Sequence, residues 1–235
     1  MKKRLILLIA LFAFGISVTC AHALWIETAA VGKKGKAQEV KVFFGEYEGK
    51  EIDSAQKWFS NLKDFSLVLT SPSGKTRVLK TVADLFCHKT SFIPTEDGVY
   101  KLSIVHEVAT IYENAKIEYY AFADVAVGNG LLSPAFPTNA MLTIKAEQPI
   151  RQMGKDVQHQ VAFNHSPFAK KKLTLIAPSN KKTEIETGND GRFVISPQQL
   201  GPYFLEAFEE EKTAGQLNGK PYEKIWHVAT YVVGL

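Results

Sequence analysis

Apolar positions along this chain recur at every second residue far more often than at every third or fourth, which predicts strands and very little helix. Val40-Lys41-Val42-Phe43-Phe44 and Phe65-Ser66-Leu67-Val68-Leu69 alternate or run apolar over a strand's length. Ser71-Pro72-Ser73-Gly74 then supplies turn chemistry, and residues 76–82 are expected to return as the next strand. Tyr100-Lys101-Leu102-Ser103-Ile104-Val105-His106 and residues 118–127 follow, rich in β-branched and aromatic side chains. Only 53–62 reads as helix: Asp53 can cap it, and Ala55, Trp58, Phe59 and Leu62 share a face.

Gly and Pro gather between Gly128 and Pro137, and the alternation lapses there. It resumes at Met141-Leu142-Thr143-Ile144 and continues through 157–163, 172–177, 183–187, 192–195, 203–208 and 225–233. Gly188-Asn189-Asp190-Gly191 carries a hairpin signal. Roughly seven strands in this second half suit an immunoglobulin-like sandwich. The expected fold is all-β: two tandem immunoglobulin-like or regulatory-like β-sandwiches, at 24–128 and 138–235, with a linker at 129–137. One continuous sandwich with long insertions is the other arrangement that this spacing allows.

The first two dozen residues are of another kind. Met1-Lys2-Lys3-Arg4 is basic, 5–18 is an almost unbroken apolar run, and small residues stand at Ala21 and Ala23. That order is a secretory signal, and the run is short for a membrane span of about 20 residues. Residues 1–23 are therefore expected to be a signal peptide that directs the chain to the periplasm or cell surface, with no transmembrane span in the mature chain. Cleavage after Ala23 and cleavage after Ala21, which leaves His22 first, both satisfy the small-residue rule. Lipidation at Cys20 is a third option, against which Ser17 stands where a larger aliphatic residue is wanted.

Export changes how charge and cysteine are read. The 235 residues carry a net +4, but Lys2, Lys3 and Arg4 leave with the signal, so the mature chain is near +4 − 3 = +1. That balance argues against a nucleic-acid or membrane-surface partner. Without Cys20, Cys87 is left alone, so no disulfide framework is available, and Leu85-Phe86-Cys87 reads it as a small buried hydrophobe.

Three stretches together carry a family resemblance. His22-Ala23-Leu24-Trp25-Ile26-Glu27 stands at the signal exit, and Asp97-Gly98-Val99-Tyr100-Lys101-Leu102 leads into Val105-His106-Glu107. Asn189-Asp190-Gly191-Arg192-Phe193 precedes Leu200-Gly201-Pro202-Tyr203-Phe204-Leu205-Glu206-Ala207. The set resembles a bacterial family of periplasmic proteins associated with cobalt and nickel uptake. Their mature chains open with His-x-x-Trp and end in a carboxypeptidase-regulatory-like sandwich. The resemblance spans most of the mature chain; its opening motif is the more specific part, and the later turn marks fold alone. It implies a soluble accessory that binds a transition-metal ion (nickel, cobalt or copper) and works beside a membrane transport complex. One departure is that 131–138 holds no cluster of metal ligands.

Divalent transition metals favour neutral imidazoles, with carboxylates as harder supplements. His106 shares strand parity with Leu102 and Ile104, and His227 with Ile225, Ala229 and Tyr231, so both are expected on core faces. His22, as a mature N-terminus, would offer an imidazole and an α-amine as a chelating pair. The metal expectation is that His22, His106 and His227 converge on one ion, with Glu107 as a fourth ligand. The competing reading makes His106 and His227 separate core histidines, each bonded to a carbonyl or a tyrosine, since no pair has the close spacing of a zinc signature. His88 and Cys87 are adjacent and so face opposite ways on a strand. His159 and His165 are expected at the surface around the 164–167 turn.

Enzyme motifs are missing: there is no Gly-x-Ser-x-Gly elbow, His-Glu-x-x-His helix or phosphate-binding glycine loop. Glu209-Glu210-Glu211 reads as a solvated hairpin tip, so no catalytic role is expected. The alternative function is a non-catalytic surface module that binds polysaccharide or protein. Trp25 and Trp226 lie in apolar strand runs and are expected in the core, which leaves Trp58 as the ligand-binding candidate. Tyr119-Tyr120 straddles two faces, so at most one ring is expected to reach solvent.

Overall fold

The structure, a computed structural model, describes residues 22–129, 133, 139–148 and 153–234. Residues 1–21, which hold most of the signal peptide expected at 1–23 and Cys20, and most of the expected linker lie outside the described residues. The first half of the chain gives β1 (Ala23–Glu27), β2 (Val31–Gly32), β3 (Gln38–Glu46), β4 (Glu51–Ile52) and β5 (Leu67–Thr70). β6 (Thr76–Leu79), β7 (Val82–Ala83), β8 (His88–Phe92), β9 (Gly98–Glu107) and β10 (Ala115–Val127) complete it. The second half gives β11 (Leu142–Ala146), β12 (Val157–Phe163), β13 (Ser166–Pro167), β14 (Lys172–Ile176) and β15 (Lys182–Glu186). β16 (Arg192–Ile195), β17 (Pro202–Glu211), β18 (Gly215–Leu217), β19 (Lys220–Tyr222) and β20 (Lys224–Gly234) close the series. Among the described residues no helix is long and apolar enough to cross a membrane.

The chain is all-β and forms two immunoglobulin-like sandwiches. In the first, a sheet ordered β1-β3-β8-β7 shares a core with β10, β9 and β5. In the second, β11, β12 and β16 share a core with β14, β17 and β20. The inner sheets of the two sandwiches are one and the same, ordered β15-β14-β17-β20-β10-β9-β5-β6. The join is a parallel pair in which β10 meets β20, from Ala115 opposite Lys224 to Phe122 opposite Tyr231.

Residue parity explains how one sheet serves two interiors. On β10, Ala115, Ile117, Tyr119, Ala121, Ala123, Val125 and Val127 enter the first core, together with Trp226, Val228 and Val232 of β20. Tyr120 and Phe122 enter the second, together with Ala229, Tyr231 and Val233. A strand covered on both faces cannot alternate apolar with polar residues, which is why 119–127 is apolar at every position but Asp124. Neither ring of Tyr119-Tyr120 reaches solvent.

Several local expectations are corrected. The 53–62 stretch is not an α-helix but two 3-10 turns, Ala55–Lys57 and Leu62–Asp64, and neither is capped by a side chain. The segment is too short to offset the cost of helix nucleation, and the Ala55 amide donates instead to the carbonyl of Leu85 (3.1 Å). Its apolar residues Ala55, Trp58 and Leu62 are nonetheless buried as a lid on the first core. The 76–82 stretch divides between β6 and β7, which belong to different sheets. The Gly188–Gly191 turn forms, with Gly188 N–H bonded to the Arg192 carbonyl at 2.8 Å. However, β15 and β16 on either side of it pair in different sheets, so it turns the chain between layers rather than closing a hairpin. Glu209, Glu210 and Glu211 are the last residues of β17, not a loop tip. His159 is fully buried rather than exposed, stacked on Phe193 at 5.3 Å, because it shares the inward parity of Val157 and Val161. Cys87 is buried and His165 exposed, as expected.

Candidate functional site

The structure scatters the histidines proposed as metal ligands. His106, near the end of β9, faces the first core with Leu102 and Ile104. Its Nε2 is buried with no hydrogen-bond partner. Burial holds its pKa below the ordinary histidine value, against the opposing charges of Asp64 and Glu107. Glu107 itself turns outward and pairs with Lys116 at 3.2 Å. His22, just before β1, lies 3.8 Å from the Asp53 carboxylate, with its ring 5.5 Å from that of Phe44. His227 takes the parity of Ala229 and Tyr231, which enter the second core, so it lies on the opposite face of the shared sheet from His106. Among the described residues, no group of three or more His, Cys, Asp or Glu side chains is placed to hold a metal ion.

His227 instead anchors a polar node. Its Nδ1 lies 3.0 Å from the Tyr120 hydroxyl and 3.5 Å from Glu118 Oε2, and its Nε2 lies 3.1 Å from Glu211 Oε2. The Tyr120 hydroxyl donates to Glu118 in a short hydrogen bond, and Lys116 pairs with Glu118 at 2.6 Å. The only hydrogen of Tyr120 goes to Glu118, and carboxylates only accept. Both ring nitrogens of His227 are thus occupied by protein partners. Burial would raise the pKa of Glu118, but the His227, Lys116 and Tyr120 donors outweigh it and hold the carboxyl at about 2. This is the core-histidine reading, tyrosine partner included.

Trp58, the expected ligand platform, is 5% exposed. It is walled by Phe44, Phe65 and His88, and its indole N–H donates to the Asp53 carbonyl at 3.3 Å. It belongs to the core. Trp25 and Trp226 are buried as expected.

The accessible concavity that draws on both sandwiches lies at their seam. Here β1 and the turn after β3 lean on the face of β17. Tyr47 stacks on Phe204 at 4.1 Å, and Trp25 meets Tyr47 edge-on at 5.3 Å and stacks on Phe43 at 5.5 Å. The turn is tied across the seam by Lys182, 2.6 Å from the Glu48 carboxylate, and by the Asn180 amide, which donates to the Glu48 carbonyl at 3.0 Å.

Beside these rings opens a cleft of about 280 Å³, lined by Trp25, Glu27, Tyr47, Lys50 and Ile52 from one half and Ala177, Pro178, Asn180 and Pro202 from the other. A second hollow of about 430 Å³ shares Glu27 and Pro202 and adds Gln38, Glu39 and Lys41. Glu27 accepts the Trp25 indole N–H at 2.9 Å. Burial raises its pKa, partly countered by that indole and by Lys41. Burial likewise pushes the Tyr47 phenol up, so it stays a neutral hydroxyl. The arrangement offers the half-buried Tyr47 ring and two prolines bordered by a carboxyl, amines and an amide, which suits a neutral polar ligand. Sequence reasoning passed over this cleft. Trp25-x-Glu27 was legible as a same-face pair on a strand, but the meeting of Tyr47 with Phe204 depends on the fused sheet.

No family model matches the chain, and no curated protein matches it. Among solved structures, the chain is similar to the CARDB domain of a Pyrococcus furiosus protein, described in complex with di-metal ions. Identity is 17% over 46% of this chain and 87% of that one, with a TM-score of 0.26. It is also similar to a segment of two fibronectin type III domains from chicken tenascin, at 10% identity over 86% of this chain and 95% of that one, with a TM-score of 0.24. Likenesses this loose assign neither a ligand nor a site.

Proposed function

We propose that this chain is an exported, non-catalytic β-sandwich module that binds a glycan in the cleft at the seam of its two sandwiches. The supporting observation is the seam itself: the half-buried Tyr47 ring, backed by the buried Phe204 of the other half, lines an open hollow with Pro178 and Pro202 beside Glu27, Lys50 and Asn180. Sugars combine an apolar C–H face with a rim of hydroxyls, and such a wall and rim match both. Nickel, cobalt or copper binding, the function implied by the family resemblance, is not carried forward. His106 and His227 lie on opposite faces of one sheet, and both nitrogens of His227 are already engaged.

The test is calorimetric titration of the processed protein with a panel of soluble bacterial polysaccharide fragments, repeated on Tyr47→Ala and Glu27→Gln. Binding weakened by about tenfold or more in both variants supports the seam. Failure of every glycan, or binding indifferent to both substitutions, overturns the proposal. Titration with the three metal ions on wild type and His106→Ala runs alongside. Tight binding lost in that variant would restore the metal reading in its place.

A further inference from the structure

Lys101 and Asp124 are directly opposite one another on the neighbouring antiparallel strands β9 and β10. The Lys101 Nζ lies 3.2 Å from Oδ1 and 3.1 Å from Oδ2 of Asp124, and the two side chains are only 4% and 7% exposed. By parity both point to the second-core side of the shared sheet. Tyr231, from β20 on the other side of β10, opposes the effect of burial on the Asp124 carboxyl. The mechanism of binding uses none of these groups, and two full charges in so closed a place are costly.

The contact between Nζ and both carboxyl oxygens holds within itself every hydrogen and oxygen that a condensation would release as water. Burial raises the pKa of Asp124, against the opposing effect of Lys101. The Tyr231 hydroxyl, kept neutral by its own burial, can polarise the carboxyl carbon–oxygen bond. Amine and acid held in contact on two rigid strands have the proximity of an intramolecular reaction. Little bulk water reaches the pair to reverse it.

From this geometry we propose that Lys101 and Asp124 condense in the folded protein to a side-chain amide that joins β9 to β10. The Nζ lone pair attacks Cγ of Asp124, the carbon–oxygen bond breaks, and the departing oxygen takes two hydrogens from the Nζ–carboxyl pair and leaves as water. Lys–NH2 and HOOC–Asp become Lys–NH–CO–Asp and H2O, so no oxidant, cofactor or second enzyme is required. Tyr231 acts as a positioning residue beside the carboxyl. The bond closes a loop between residues 23 positions apart.

The test is mass spectrometry of the protein purified in its folded state. Peptide mapping after denaturation and proteolysis is expected to yield one branched product that holds Lys101 and Asp124 and is one water lighter than its two parts. Lys101→Arg keeps a cation beside the aspartate, so it is expected to fold and to give the two separate peptides. Tyr231→Phe is expected to slow the appearance of the branched product. Separate peptides of full mass from the wild-type protein after prolonged incubation in the folded state would overturn the proposal. So would a one-water loss that persists in Lys101→Arg, since the bond would then lie elsewhere.

Discussion

Glu118 of β10 and His227 of β20 are register partners in the parallel pair that fuses the two sandwiches, and their side chains meet with Oε2 3.5 Å from Nδ1. In a parallel pair, partners in register point to the same face. Both therefore belong to the second-core side, where Tyr120 of β10 and Glu211 of β17 complete the node. Three strands drawn from both halves of the chain are pinned at this one imidazole.

Removing that imidazole should be expensive. His227→Ala leaves the Glu118 and Glu211 carboxylates without their shared donor and opens a cavity under Phe163, whose ring lies 5.0 Å from that of His227. The expected loss is about 3 kcal/mol in urea unfolding at neutral pH. A loss below about 1 kcal/mol would show that Lys116 and water satisfy the carboxylates unaided.

The shared sheet makes the two sandwiches thermodynamically one. The first core includes Trp226, Val228 and Val232 from β20, and β10 carries Tyr120 and Phe122 for the second. Calorimetry is expected to record one transition whose van't Hoff and calorimetric enthalpies agree. A fragment covering 22–128 should lack cooperative unfolding. Two resolved transitions, or a stably folded fragment, would contradict a fused core.

His159 gives the acid limb of stability a definite sign. Burial holds its pKa down to about 4, against its bond to the Val157 carbonyl and the charge of Glu147. The unfolded chain takes up this proton near the ordinary histidine value of 6.5, whereas the folded protein does so only near pH 4. The contribution is complete above about pH 6.5 and drains away as pH falls toward 4. Relative to wild type, His159→Phe should lose about 3 kcal/mol less between pH 7 and pH 4. Equal pH slopes for the two proteins in urea titrations would rule out a buried neutral imidazole.

Gly191 tests the turn between layers. Its φ is +72°, and a Cβ there would sit 2.5 Å from the Val161 carbonyl oxygen and 2.9 Å from the Phe168 amide, both backbone atoms with little room to yield. Gly191→Ala is expected to cost about 3 kcal/mol or more. The control is Gly154→Ala, which has a similar φ of +71° and nothing within 4 Å of the added carbon. It should cost far less by the same measurement.

Strand content was legible because alternation is a local signal. Residues 192–195 coincide with β16, and 157–163 with β12. The parity argument also placed His106 and His227 on core faces. It could not say that the faces belong to different interiors, because that depends on which strands become neighbours. The β10–β20 pairing joins segments more than a hundred positions apart, and no local pattern encodes it. The one visible hint was the apolar run of 119–127, interrupted only by Asp124, which signals cover on both sides but not the identity of the second cover. Trp58 was misjudged for a related reason: a short polar-flanked segment looked like a surface helix, and only its docking as a lid buries the ring. The seam cleft needed both facts at once.

One consequence concerns timing. Tyr120 and His227 are 107 residues apart, and β20 follows every other strand in chain order. A polypeptide emerging from its N-terminus cannot seal even its first hydrophobic interior until almost the entire chain has appeared. Long-range closure of this kind is slow. The late strand works as a built-in delay that keeps the chain pliable until its last segment arrives and commits it to shape.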